Sequence, residues 1–501
     1  MTAPATSVSA GHGLERRALS LGAANAIDYA LQFLLPIVLT RALDAEGFGR
    51  YRLLWLAAST LIAVAPLYMP QSLYYFVPRG DRPTQRLYIN QTVIFLLAMG
   101  SLAAWAISEW NPFLPATVAA LHVGNSALVP AFVLAWIVAS LLDVLPTVDE
   151  RVAWQSRAIV ALSCTRTLAL GGVALLTHDF IAVLWTLLAF AAVKLAVLLR
   201  YIATTHGLKG PWLRPRFLIA QIRHAAPFGI AGTLYGLRGQ ADQWVAATLF
   251  SLTLFASFSI AAVLGPMVNL FRQSVNHVFL PSMSRLHSAG DMKAALAMNS
   301  RANAMVAMLV YPLLAFAFVF ADPLISLVYT RTYIDAVPVL RLYIIGLIAF
   351  VVELNSVLLL LKQGGYFARI NAMTLVLSVG LSYWGATHFG LPGAAIGTLG
   401  MIWVDRVLLL SRIARVTGEP IAKLQDWPRL VAMLAAAVIA AAAAGAVVSA
   451  WSLSDFASLA LGALVMALAY PAALVAAGQG TLISGFFHSV AASEPAATGN
   501  D

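Results

Sequence analysis

The chain has a single cysteine, Cys164, and few charges: Asp, Glu, Lys and Arg together make up 10% of its 501 residues, against about 25% in an ordinary soluble domain. One thiol excludes an intramolecular disulfide framework and a cysteine-based metal site. The scarcity of charge, beside a hydrophobic content of 61%, excludes a soluble domain and identifies an integral membrane protein. Enzyme signatures are also missing. There is no GxxxxGK[ST], no HExxH and no GxSxG, so ATP hydrolysis and familiar hydrolase chemistry have no motif to stand on. No polar stretch between apolar runs reaches the roughly 50 residues of a small independent domain, so any chemistry has to occur inside a helical bundle.

What is present is a series of apolar runs of membrane-spanning length. About fourteen are expected, at 19–39, 53–76, 87–107, 119–142, 158–176, 180–199, 225–250, 254–279, 303–320, 337–361, 370–389, 394–410, 430–450 and 457–477. A basic segment with Lys209, Arg214, Arg216 and Arg223 separates the first six from the next six. The expected organisation is therefore a six-helix bundle over 1–202, a cytoplasmic connector over 203–224, a second six-helix bundle over 225–415, two further spans within 416–478 and a disordered tail over 479–501. The segment ending in Arg16 and Arg17 precedes a run too long for a cleaved signal, so the first span is expected to be retained. Lys and Arg gather on the side that holds both termini, with Arg41, Arg50, Arg52 and Arg331 the exceptions. That bias places both termini in the cytoplasm. It also accounts for the net charge of +10 without nucleic acid.

Against this apolar background, charges stand inside spans: Asp28, Arg166, Arg238, Asp242, Arg272 and Glu353. A charge at bilayer depth costs about 2.5 to 3.5 kcal/mol even on lenient scales, so such residues face a bundle interior or a hydrated cavity. Helical spacing groups them with other polar residues. Asn25, Asp28 and Gln32 share a face of the first span, Arg238 and Asp242 lie four apart in the seventh, and Asn269, Arg272, Gln273 and Asn276 form a stripe on the eighth. Arginine donates in a planar fork suited to phosphate, so the cations imply an anionic cargo. Asp28, Asp242 and Glu353 are expected in coupling or gating, since intramembrane carboxylates build proton relays. An internal Arg238–Asp242 pair that only locks packing is the alternative. Lys194, Asp405 and Arg406 lie near span ends and are expected to snorkel.

Four segments carry a family resemblance. LTRALDAEGFGRYRLLWLAAST, with Arg41, Leu43, Glu46, Phe48 and Gly49, resembles the first-to-second helix junction of polysaccharide-export flippases in the multidrug/oligosaccharidyl-lipid/polysaccharide exporter superfamily. HAAPFGIAGTLYGLRGQADQWV, with Pro227, Gly229 and Asp242, is similar to the family's seventh helix. NLFRQSVNHVFLPSMSRLHSAGD, with Pro281 and Ser284, is similar to its eighth, and GLPGAAIGTLG to the start of its twelfth. The resemblance implies two six-helix bundles around a central cavity. It further implies flipping of undecaprenyl-diphosphate-linked oligosaccharides from the cytoplasmic to the periplasmic leaflet of a bacterial inner membrane by alternating access, without catalysis. The family's lipid II branch carries cavity arginines in the first, second and eighth helices. Here Arg272 lies in the eighth, Arg52 starts the second and the first has Asp28. An exopolysaccharide or O-antigen repeat unit is therefore the cargo expected.

The resemblance also implies no resident cofactor or metal, coupling to a proton or sodium gradient, and association with membrane lipids, a polymerase and export machinery. A duplicated bundle is expected to work as a monomer. Two rivals stay open: a cation-coupled drug exporter of the same superfamily, which would need an acid-rich cavity, and a membrane polymerase or ligase, which would need a long extracytoplasmic loop.

Overall fold

A bilayer requires each spanning segment to satisfy its own backbone groups, which helices do, and every regular element among the described residues is helical. The computed structural model describes residues 7–122, 124, 126–207 and 210–479, so the expected tail lies, from 480 on, outside the described residues. The chain divides into two compact units, Met1–Ala256 and Ser257–Asp501, a division that falls after the basic connector and not within it.

The first unit contains α1 (Ser7–Ala42), α2 (Ala45–Val64), α3 (Met69–Phe76), α4 (Arg82–Ile107), α5 (Leu128–Ala139), α6 (Val152–Thr177), α7 (Phe180–Thr205), α8 (Pro215–Arg238) and α9 (Ala241–Leu249), and α10 (Leu252–Ala261) crosses the division. Local sequence sets several starts. Asp44, Asp81 and Asp179 each cap the following helix, their carboxylates accepting from backbone N–H groups of the first turn. Pro66 ends α2, and Leu67 and Tyr68 follow with φ of 44° and 64°, left-handed values unusual for residues with a side chain. Helix α8 passes close to this break. A Cβ on Gly229 would sit 2.7 Å from the Leu67 carbonyl oxygen, so only glycine admits the approach.

Glutamines explain why α8 packs in this unit. Buried Gln221 accepts from Gln91 Nε2 at 3.0 Å and donates to Ser72 Oγ and Thr92 Oγ1 at 2.8 and 2.9 Å, joining α8 to α3 and α4. At roughly 0.6 kcal/mol for an interhelical hydrogen bond in a bilayer, the three contribute about 2 kcal/mol. Gln240, between α8 and α9, accepts from Thr60 Oγ1 of α2 at 2.6 Å.

The second unit contains α11 (Leu264–Ser288), α12 (Met292–Val319), α13 (Ala336–Phe350), α14 (Asn355–Leu360), α15 (Gly364–Gly393), α16 (Ile396–Thr417), α17 (Trp427–Ser449) and α18 (Asp455–Ala476). Between α13 and α14 the chain unwinds over residues 351–354. Asn303 of α12 supplies what the missing helical turn would have: its Nδ2 donates to the Glu353 carbonyl at 3.2 Å and its Oδ1 accepts from the Glu353 N–H at 3.0 Å. Asn299 donates to the same carbonyl at 3.1 Å, and Gln425, on the connector before α17, bonds both asparagines at 3.1 Å. The buried alanines Ala436, Ala437, Ala440, Ala441 and Ala444 give α17 a narrow face, which suits close helix packing in lipid.

Ten helical segments among the described residues are long and apolar enough to span a membrane, and the pair α15 and α16, bent by 112°, raises the number to eleven at most. Ten of the fourteen expected spans meet this length and apolarity outright, and the exact count of fourteen is not confirmed. The seventh, Ala225–Phe250, is interrupted at Gly239–Gln240 between α8 and α9. The tenth is the 15-residue α13, the unwound segment and the six-residue α14. The eleventh and twelfth are the bent pair, whose corner contains Gly390 with φ of 67°. Hydropathy averages over such breaks; the one at 351–354 leaves pieces of 15 and 6 residues, each shorter than a bilayer.

Candidate functional site

In the first unit Asp28 and Lys194 have close counter-ions, while Arg86, 4% exposed, keeps Nε and Nη1 without a hydrogen-bond partner. Asp28 of α1 accepts from Ser163 Oγ at 2.5 Å and from Arg166 Nη2 at 3.1 Å, both on α6, and from Gln32 Nε2 at 2.8 Å. Asp28 and Gln32 thus share a face as their spacing predicts, while Asn25 is exposed. Lys194 of α7 is buried, with Nζ donating to Asp143 Oδ2 at 2.8 Å and lying 5.1 Å from the Trp136 ring centroid. It does not snorkel, its ammonium being held at Asp143, whose own side chain is 57% exposed. Arg52, expected to start the second span, lies two turns inside α2, which begins at Ala45, and is half-buried. Arg238 ends α8 with its guanidinium 5.8 Å from the Tyr235 ring, and buried Asp242 opens α9, where its Oδ1 accepts from the Gln243 N–H at 2.8 Å. The break at Gly239–Gln240 means that these two do not follow the spacing of one continuous helix.

The second unit holds its charges more loosely. Arg272 of α11 is 3% exposed, and its guanidinium stands 4.0 Å from the Phe350 ring centroid at the end of α13. Its Nη2 donates to Asn269 Oδ1 at 2.7 Å, while Nε and Nη1 are buried without a hydrogen-bond partner. The nearest carboxylate, Glu353 Oε1 in the unwound segment, is 3.9 Å from Nη1, too far for a hydrogen bond. Glu353 instead turns Oε2 to the Ser356 N–H at 3.2 Å. An unmet buried donor costs about 1 to 3 kcal/mol, more on a charged group. An acceptor brought to Arg272 would recover that cost, and an oxyanion is the acceptor a guanidinium fits best.

A second guanidinium approaches the same ring: Arg406 of α16 lies 5.5 Å from the Phe350 centroid, with Nη2 3.7 Å from Asp405 Oδ2. Arg406 and Asp405 are 5% and 2% exposed, so both lie inside the unit and neither reaches an interface as expected for snorkelling side chains. Both sit on the face of α16 that packs inside the unit, beside Met401, Leu409 and Leu410. Of the expected stripe on α11, Asn269 and Arg272 act together, Asn276 donates to Ser356 Oγ at 2.5 Å, and Gln273 is exposed.

Sequence reasoning missed Ser163, Arg406, the Lys194–Asp143 pair and the asparagine clamp on Glu353. Only the clamp left a trace, Asn299 and Asn303 four apart in an apolar run. Among the described residues no group of three or more His, Cys, Asp or Glu side chains is placed to hold a metal ion.

Comparison with known proteins follows the same lines. The fold is similar to that of an inward closed lipid II flippase, MurJ, with a TM-score of 0.69 and 12% identity over 91% of this chain and 98% of the other. It is similar to an inward-facing multidrug resistance MATE family transporter of the MOP superfamily, with a TM-score of 0.58 and 12% identity over 78% and 96%. A MOP superfamily transporter from Pyrococcus furiosus matches with a TM-score of 0.51 and 12% identity over 80% and 95%. No curated protein gives a significant match by sequence. The family model of polysaccharide biosynthesis proteins matches residues 38–338. The match covers more than half of the chain, which is therefore a member of the polysaccharide biosynthesis protein family, a multi-pass membrane protein with the fold of MOP superfamily transporters.

Proposed function

We propose that this protein flips polyprenyl-diphosphate-linked oligosaccharide repeat units, of exopolysaccharide or O-antigen type, from the cytoplasmic to the periplasmic leaflet of a bacterial inner membrane by alternating access, and catalyses no reaction. The observation that carries this reading is Arg272: a buried cation with two donor atoms unmet and its nearest carboxylate beyond hydrogen-bond reach. A diphosphate supplies the missing acceptors and gains from a low-dielectric site. The polysaccharide biosynthesis family supports a glycan cargo. Gradient coupling through Asp28 or Glu353, cytoplasmic termini and a monomeric working unit belong to the same proposal.

The test is transport of a fluorescent polyprenyl-diphosphate oligosaccharide in proteoliposomes. Replacing Arg272 with Ala, at unchanged folded yield, is expected to reduce transport at least tenfold, the equivalent of about 1.4 kcal/mol. Unchanged transport would reduce Arg272 to a packing role and remove the reading's main support. Drug or dye resistance that tracks expression would transfer the chain to the cation-coupled exporters.

A further inference from the structure

Within the first unit, a cavity of about 340 Å³ opens between the α2–α3 break, the end of the α5 segment and α8. That volume lies at the small end of ligand pockets, roughly 300 to 1,000 Å³. Its polar lining consists of Gln71, Ser140, Asp143 and Thr233, with the half-exposed ring of Tyr68 at one wall.

These groups offer acceptors. Ser140 Oγ donates to the Ile137 carbonyl at 2.6 Å and Thr233 Oγ1 donates to the Ala63 carbonyl at 2.7 Å, so their protons are committed and their lone pairs remain. Gln71 Oε1 is buried without a hydrogen-bond partner. Asp143 gives Oδ2 to Lys194, yet its side chain keeps 57% of its surface accessible while that of Lys194 keeps 9%. The carboxylate thus faces open space with its counter-ion packed behind it.

The charge balance selects the ligand. An acceptor-lined cavity suits either a cation or a neutral group rich in O–H donors. Lys194 already neutralises the one carboxylate, which removes most of the attraction for a cation. What fits is an uncharged polyhydroxylated group, whose O–H bonds meet these acceptors and whose C–H faces meet Tyr68, Pro66 and Val144.

We propose that this cavity is a subsite for a sugar of the cargo, an assignment that rests on the lipid-linked oligosaccharide reading above. Recognition here is by hydroxyl pattern, separate from diphosphate capture at Arg272. The cavity has a natural plug position: a Cβ on Gly232 of α8 meets no atom within 4 Å, so a larger side chain enters the empty space without collision.

The experiment measures binding of two probes to the full chain in nanodiscs, a polyprenyl diphosphate bearing the oligosaccharide and the same lipid diphosphate without sugar. Wild type is expected to bind the glycosylated probe more tightly. Gly232→Leu is expected to weaken the glycosylated probe by about tenfold or more, the scale on which pockets discriminate shape, and to leave the sugar-free probe unchanged. Gln71→Ala is expected to produce a smaller loss in the same direction. Unchanged binding of the glycosylated probe to Gly232→Leu, or an equal loss with both probes, would overturn the subsite. A wild type that binds both probes equally would end the sugar assignment and leave the flippase reading intact, whereas one that binds neither would end both.

Discussion

The ion pairs of the two units differ in closeness, although each unit buries an arginine, Arg86 or Arg272, with Nε and Nη1 unmet. In the first, Asp28 is met by Arg166 at 3.1 Å and by two further donors, and Lys194 is met by Asp143 at 2.8 Å. In the second, Arg272 stands 3.9 Å from Glu353, and Glu353 gives its other oxygen to a backbone N–H. The first arrangement resembles structural cross-links between helices. The second leaves a cation held by an aromatic face, one amide oxygen and a carboxylate too far to hydrogen-bond, an arrangement with donors still open to a closer acceptor. An intramembrane charge is therefore informative by how completely its own protein satisfies it.

The sharpest way to break this contrast is Asp28→Ala. It strands Arg166 and is expected to cost about 3 kcal/mol, the low end for breaking a buried pair because both side chains are partly exposed. Unfolding in detergent measures it, and adding Arg166→Ala should restore much of the loss. A silent Asp28→Ala would mean that the first unit's pair is no cross-link. Next in size is Asn303→Ala, which removes both bonds to the Glu353 backbone and is expected to destabilise by about 2 kcal/mol; faster amide exchange in residues 351–354 would show that the loss is local. The smallest stability effect is expected for Glu353→Gln, about 1 kcal/mol, since a 3.9 Å ion pair with Arg272 is lost but no hydrogen bond between the two. That variant is expected to bind the lipid diphosphate more tightly, having lost a competing carboxylate, and weaker binding would reverse the role given to Glu353.

Much of this was legible in sequence. The scarcity of charge gave the solvent, the apolar runs gave all-helical spans, and the segments around Gly49, Gly229 and Gly390 carried the family. Arg272 was identifiable because nothing on its own helix offered a carboxylate. The helix breaks were not identifiable. The break at Gly239–Gln240 has no proline to announce it, and the one at 351–354 is held open by Asn303, some fifty positions away in sequence. Pairings across such separations, Lys194 with Asp143 or Gln221 with Gln91, depend on which faces meet, and composition does not record that. The burial of Arg406 follows from which face of α16 packs inward, and its position near a span end does not record that.

Gln425 has a consequence for how this architecture can be shortened. It lies on the connector leading to α17 and α18, yet its amide completes the clamp on the unwound segment that carries Glu353. The last two helices are thereby tied to the middle of the unit, through Gln425 and through Tyr470, whose hydroxyl donates to the Met308 carbonyl of α12 at 3.1 Å. A truncation that began before Gln425 would do more than remove two spans: it would withdraw a partner from two buried asparagines and loosen the segment that carries Glu353. A shorter relative built on the same plan would need another polar group in that position, or a continuous helix where this chain has a gap.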